Sequence, residues 1–115
     1  MDSQLEEIRE IWANAFYSGD YDVLRHYEHQ DFQVFFEQEG RVEGSYLRYD
    51  RIAHAVQNGV WKPLKPDIED EEYEYNEDQT ECRILIGLEN NKQRLQEIWK
   101  LEDEWKILEL RFLKS

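Results

Sequence analysis

Apolar side chains near the start of the chain recur at three- and four-residue intervals: Leu5, Ile8, Ile11, Trp12, Ala15 and Phe16. That spacing draws one apolar stripe along a helix of about four turns. Ser3 followed by Glu6 reads as its capping box, and Gly19 stops it. Asp20 then caps a second, short helix carrying Val23, Leu24 and Tyr27. From Asp31 the period drops to two. Phe32, Val34 and Phe36 alternate with Gln33, Phe35 and Glu37, which predicts a strand. Glu39-Gly40 turns it into a short partner over 41–43, ended by Gly44. A third helix over 47–57 carries Leu47, Ile52, Ala55 and Val56 and stops at Asn58-Gly59. Pro63 and Pro66 punctuate an extended connection.

The second half holds three evenly spaced turn signals, at 76–79, 89–92 and 102–104. Between them the pattern predicts strands over 68–75, 80–88, 93–101 and 105–113. Connections this short join antiparallel neighbours, so the four form a meander. Both of its faces carry apolar residues. Cys82, Ile84, Ile86 and Leu88 share one parity and Leu85 takes the other. Leu95, Trp99 and Leu101 oppose Ile98, while Leu108, Leu110 and Phe112 oppose Trp105 and Ile107. An antiparallel sheet with one solvated face alternates more cleanly than this. Helices cover one side only, so the second apolar face predicts a homodimer through the outer face of the sheet.

Composition narrows the class. A chain of 115 residues suits one domain, 1–115. Its 40% hydrophobic and 14% aromatic content can build a core despite 36% charged residues. The net charge of −13 argues against nucleic acid and anionic membranes as partners, both of which need a basic surface. It favours solubility, and a basic protein if a charged partner exists. The single cysteine, Cys82, excludes an intramolecular disulfide and a cysteine-based zinc cluster, and its apolar surroundings read as a buried thiol. The acidic, helical amino terminus is not a signal peptide, and no apolar run reaches the length of a membrane span. A cytoplasmic location is the expectation.

The stretch 11–22, Ile11-Trp12-Ala13-Asn14-Ala15-Phe16-Tyr17-Ser18-Gly19-Asp20-Tyr21-Asp22, and the closing 99–107, Trp99-Lys100-Leu101-Glu102-Asp103-Glu104-Trp105-Lys106-Ile107, together with the order of elements, resemble the nuclear transport factor 2-like superfamily. That superfamily includes ketosteroid-isomerase-like, scytalone-dehydratase-like and polyketide-cyclase-like proteins. The resemblance covers nearly the whole chain. It implies an α+β, cystatin-like fold in the form of a cone, with three N-terminal helices packed on a strongly curved, mostly antiparallel sheet. It also implies a pocket between the first helix and the sheet, and dimerisation through the sheet.

The resemblance to ketosteroid isomerases also implies three catalytic roles. Counting from Gly19, the phenol position of the first helix falls on Trp12, whose indole donates one hydrogen bond but lacks an acidic phenol. The carboxylate-base position falls on Phe36, which takes no proton. The acid of the meander has a counterpart in Glu97, and such an acid donates only where its site keeps it neutral. Of the three histidines, His26 and His29 stand three apart, a spacing that suits a metal on one helical face but supplies only two ligands. His54 follows Asp50 by one helical turn, an ordinary ion-pair spacing that would also orient a general base.

Pro66 to Glu81 holds nine Asp or Glu and no Lys or Arg. Charge this dense suits an edge strand protected from aggregation, or, more sharply, a docking surface at 67–81 for a basic protein, as in an immunity protein bound to its toxin. The sequence therefore predicts a homodimeric small-molecule-binding module for a partly apolar ligand. Its pocket residues are Trp12, Phe16, Phe36, Glu97 and Trp99, with Tyr17 and Trp61 beside them. No metal or cofactor is expected. The alternatives are an isomerase or lyase with a rearranged site, using Glu97 with Tyr17 or His54, and an acidic protein-binding partner.

Overall fold

A computed structural model describes residues 3–63, 68–88 and 94–113, with Ser3 and Tyr46 described by backbone alone. The proposed capping box at Ser3, the turn at 89–92, Pro66 and Asp67 lie outside the described side chains. In chain order the elements are α1 (Ser3–Ser18), α2 (Tyr21–Tyr27), β1 (Glu28–Phe36), β2 (Arg41–Gly44), α3 (Ser45–Gln57), β3 (Ile68–Tyr75), β4 (Glu81–Leu88), β5 (Arg94–Leu101) and β6 (Trp105–Phe112). Gly19 ends α1 at φ +77°, and the Asp20 carboxylate accepts from the Val23 N–H to open α2. The first strand starts four residues earlier than its alternation suggests, because α2 runs directly into extended backbone at Glu28.

The strands form one sheet in the order β2-β1-β6-β5-β4-β3. β3 through β6 make the antiparallel meander, β2 pairs antiparallel with β1, and β1 lies parallel to β6. The sheet is mixed and open, which corrects the expectation of a strongly curved sheet shut into a cone. Closure would require β2 to pair with β3, yet these two are the opposite edges. β2 is four residues long and β3 carries five acidic side chains in eight residues, so neither offers the other a ladder. The molecule measures 44 × 34 × 24 Å, its short dimension suiting one sheet with one layer of helices.

A single irregularity reorganises the apolar pattern of β6. Ile98 stands opposite Glu109 but Trp99 stands opposite Ile107, so Leu108 has no partner in β5. One extra residue shifts the side-chain alternation by one. Trp105 and Ile107 before the bulge are fully buried, and Leu110 and Phe112 after it line the same side of the sheet. Two sets that oppose each other by simple alternation thus share the helix-bearing face. The core there comprises Leu5, Ile8, Trp12, Leu24 and Ile52 from the helices against Phe32, Val34, Ile84, Trp99 and Ile107 from the sheet. Cys82 is buried within it, and burial pushes its thiol pKa up. No helix among the described residues is long and apolar enough to cross a membrane.

Candidate functional site

α1 does not lie flush on the sheet. Between them is a cavity of about 440 Å³, lined from α1 by Arg9, Trp12, Ala13, Phe16 and Tyr17, and from the sheet by Ile86, Leu88, Leu95, Glu97, Leu110 and Phe112. Arg48 of α3 reaches it from the side. A second cavity of about 260 Å³ adjoins it, sharing Phe16, Arg48, Leu110 and Phe112 and adding Phe36, Glu43, Arg51 and Trp61. The Trp61 indole donates to the Phe16 carbonyl at 2.7 Å, tying the segment after α3 to the end of α1.

Of the three buried carboxylates among the described residues, Glu28, Glu43 and Glu97, two are each held by an arginine and an indole. Glu97, 4% exposed, accepts from Arg9 Nε at 2.8 Å, Arg9 Nη2 at 3.0 Å and Trp99 Nε1 at 2.7 Å. Arg9 also meets Glu71 at 3.1 Å and donates to the Tyr73 hydroxyl at 2.6 Å. Burial works against the Arg9 charge, but the bonds and charge of Glu97, then of Glu71, outweigh it and raise the Arg9 pKa. Glu28, also 4% exposed, accepts from Trp12 Nε1 at 2.9 Å, Arg48 Nη1 at 2.9 Å and the Tyr49 hydroxyl at 2.6 Å. Burial, and then Glu28 itself, raises the Tyr49 pKa. The indoles of Trp12 and Trp99 meet edge to face at 5.7 Å, so the two networks are packed against one another.

Trp12, Phe16, Tyr17 and Glu97 line the main cavity, whereas Phe36 and Trp61 line the second. Trp99 is fully buried behind Glu97 and touches neither. His54 is exposed on α3 and lines neither cavity. Burial raises the Tyr17 pKa, and among the described residues no hydrogen bond joins Tyr17 to Glu97. Arg9, Glu28, Arg48 and Tyr49 are site residues that the sequence pattern does not single out. Arg9 had one available signal: it follows Leu5 by one helical turn and so lies on the flank of the apolar stripe.

The Trp12 N–H is taken by Glu28, Phe36 has no titratable group, and three N–H donors converge on Glu97, so that carboxyl acts as an acceptor. His26 and His29 pair with the β5–β6 turn, with Glu104 at 2.7 Å and Glu102 at 2.9 Å. Among the described residues no cluster of three His, Cys, Asp or Glu suits a metal ion. In the acidic stretch, β3 is an edge strand, and three of its acids face cations: Glu71 with Arg9, Glu74 with Arg83 at 2.9 Å and Asp70 with Arg94 at 3.7 Å.

No protein-family model matches the sequence, and no curated protein matches it. Solved structures do. The protein is similar to an NTF2-like protein from Cytophaga hutchinsonii, at 13% identity over the whole of both chains with a TM-score of 0.79. It is also similar to an NTF2-like protein of unknown function in nutrient uptake from Rhodospirillum rubrum, at 14% identity over 96% of this chain and 98% of that one, with a TM-score of 0.72. An uncharacterised protein with a cystatin-like fold from Caulobacter vibrioides aligns over 98% and 89% of the two chains at 8% identity and a TM-score of 0.71. The chain therefore has the nuclear transport factor 2-like, cystatin-like fold.

Proposed function

We propose that the protein is a small-molecule-binding module on this fold, lacking the catalytic residues of ketosteroid isomerases. The observation that carries the reading is the 440 Å³ cavity between α1 and the sheet, apolar over most of its wall and interrupted by Arg9, Arg48 and Glu97. Ligand sites have this character: hundreds of Å³, an apolar lining and a few fixed polar groups. Against isomerase chemistry stands the occupation of Trp12 by Glu28 and of Glu97 by Arg9 and Trp99, which leaves neither free to stabilise an enolate. We further propose a homodimer through the outer face of the sheet, where Phe35, Leu85 and Ile98 are half-buried and stand outside the core cluster.

Native mass spectrometry of the purified protein tests the binding role. The expected result is a co-purifying small molecule that the Ala13→Phe variant loses, because a phenyl group at this position of α1 takes up space in the cavity that Ala13 lines. Ligand retention by a folded Ala13→Phe protein would place binding elsewhere, and absence of any bound species from the native protein and from ligand-soaked samples would refute the role.

A further inference from the structure

Two guanidiniums reach the main cavity, and their donors are used differently. Arg9 is consumed by protein: Nε and Nη2 go to Glu97, Nη2 also faces Glu71, and Nη1 goes to Tyr73. Arg48 is 7% exposed and lays its guanidinium over the Phe32 ring at 4.9 Å. Among the described residues its hydrogen-bond partner is Glu28, through Nη1. A guanidinium carries five N–H donors. No fully buried side-chain nitrogen or oxygen among the described residues lacks a partner. The Arg48 nitrogens that Glu28 does not take are therefore reached from the two cavities, whose shared wall Arg48 forms with Phe16, Leu110 and Phe112.

Resting on the binding role proposed above, we infer that Arg48 anchors the carboxylate of a small, largely apolar acid, whose hydrocarbon part lies in the main cavity among Trp12, Ala13, Ile86 and Leu88. Two features select an anion over a neutral molecule or an amine. Glu28 takes one Arg48 nitrogen, Nη1, and otherwise accepts from the Trp12 N–H and the Tyr49 hydroxyl, so the rest of the guanidinium fork has donors to spare. The planar guanidinium fork also matches a carboxylate, and in an apolar site its spare donors favour a charged acceptor.

Isothermal titration with octanoate, 1-octanol and octylamine separates these chemistries on one hydrocarbon chain. Octanoate should bind at least about tenfold tighter than octanol, the scale of hydrogen bonds to a charged acceptor, and octylamine should bind weakest. Arg48→Gln alone strands the buried Glu28 carboxylate and threatens the fold, so the informative variant is Arg48→Gln with Glu28→Gln. It should lower octanoate binding to the level of octanol. Equal binding of octanoate and octanol by the native protein, or a preference that survives the double variant, overturns the carboxylate assignment while leaving the cavity as a binding site. Failure of all three probes to bind removes both.

Discussion

At the scale of single residues, the Arg9–Glu97 pair links α1 to β5. Its side chains are 12% and 6% exposed, so removing one partner leaves a buried charge without its counter-ion. Arg9→Met should destabilise the protein by about 3–5 kcal/mol in urea unfolding. Adding Glu97→Gln should recover a large part of that loss, because the stranded charge is then gone. Glu43 supports a different expectation. Burial works to raise its pKa, but Arg51 at 3.0 Å, and then Arg41, win and hold it below the ordinary carboxylate range. A lowered folded-state pKa means that protons bind the unfolded chain first as pH falls. The stability from Glu43 is therefore present above the ordinary carboxylate value and lost as pH drops through the depressed one. Glu43→Gln should flatten the acid limb of the stability profile and leave its alkaline limb unchanged.

At the scale of elements, the join between α1 and α2 depends on a position where only glycine fits. Gly19 has φ +77°, and a Cβ there would lie 2.5 Å from Val56 Cγ2 and 2.8 Å from Trp61 Cδ1. Gly19→Ala combines left-handed backbone strain with a clash against α3 and the segment after it. It should cost more than about 1 kcal/mol in chemical denaturation and loosen the Trp61–Phe16 bond, which a blue- or red-shift of tryptophan fluorescence would report. The elements themselves were legible because their signals are local. The stripe of α1, the stop at Gly19, the short α2 and the turns at 76–79 and 102–104 all involve neighbours a few residues apart. The bulge at Leu108 left one trace, the adjacent apolar pair Ile107-Leu108 where the alternation changes phase, but only the pairing with β5 shows that an extra residue, and not a second apolar face, accounts for it.

At the scale of the whole molecule, the helices among the described residues pack on one face of the open sheet, and Phe35, Leu85 and Ile98 on the other stand outside the core cluster. Phe35 there lies beneath Arg111, 4.1 Å away, and Arg111 is itself held by Glu37 and Glu109. If this face joins two copies, sedimentation equilibrium at micromolar concentration should give twice the 14.1 kDa of the chain, and Ile98→Asp should yield a folded monomer. A monomeric native protein would instead mean that the outer face is solvated, as its interspersed charges permit. The candidate site was legible in part. Trp12, Phe16, Tyr17 and Glu97 were within reach because an apolar stripe and a meander position can be counted from Gly19. The charged half of the site was not, because Arg9, Glu28 and Arg48 look like solvated surface until their partners arrive from 88 and 20 residues away.

The sequence by itself determined the α+β class, the order of helices and strands, and the meander, since periodicity, caps and turns act over a few residues and need no distant partner. Tertiary structure alone decided that the sheet stays open, that the bulge at Leu108 gathers the apolar side chains of β6 onto one face, and that the cavity wall carries paired charges. Each of these depends on which strand edges meet and which polar groups are withdrawn from water together. The free energies involved belong to pairs of residues far apart in the chain, which no local pattern records.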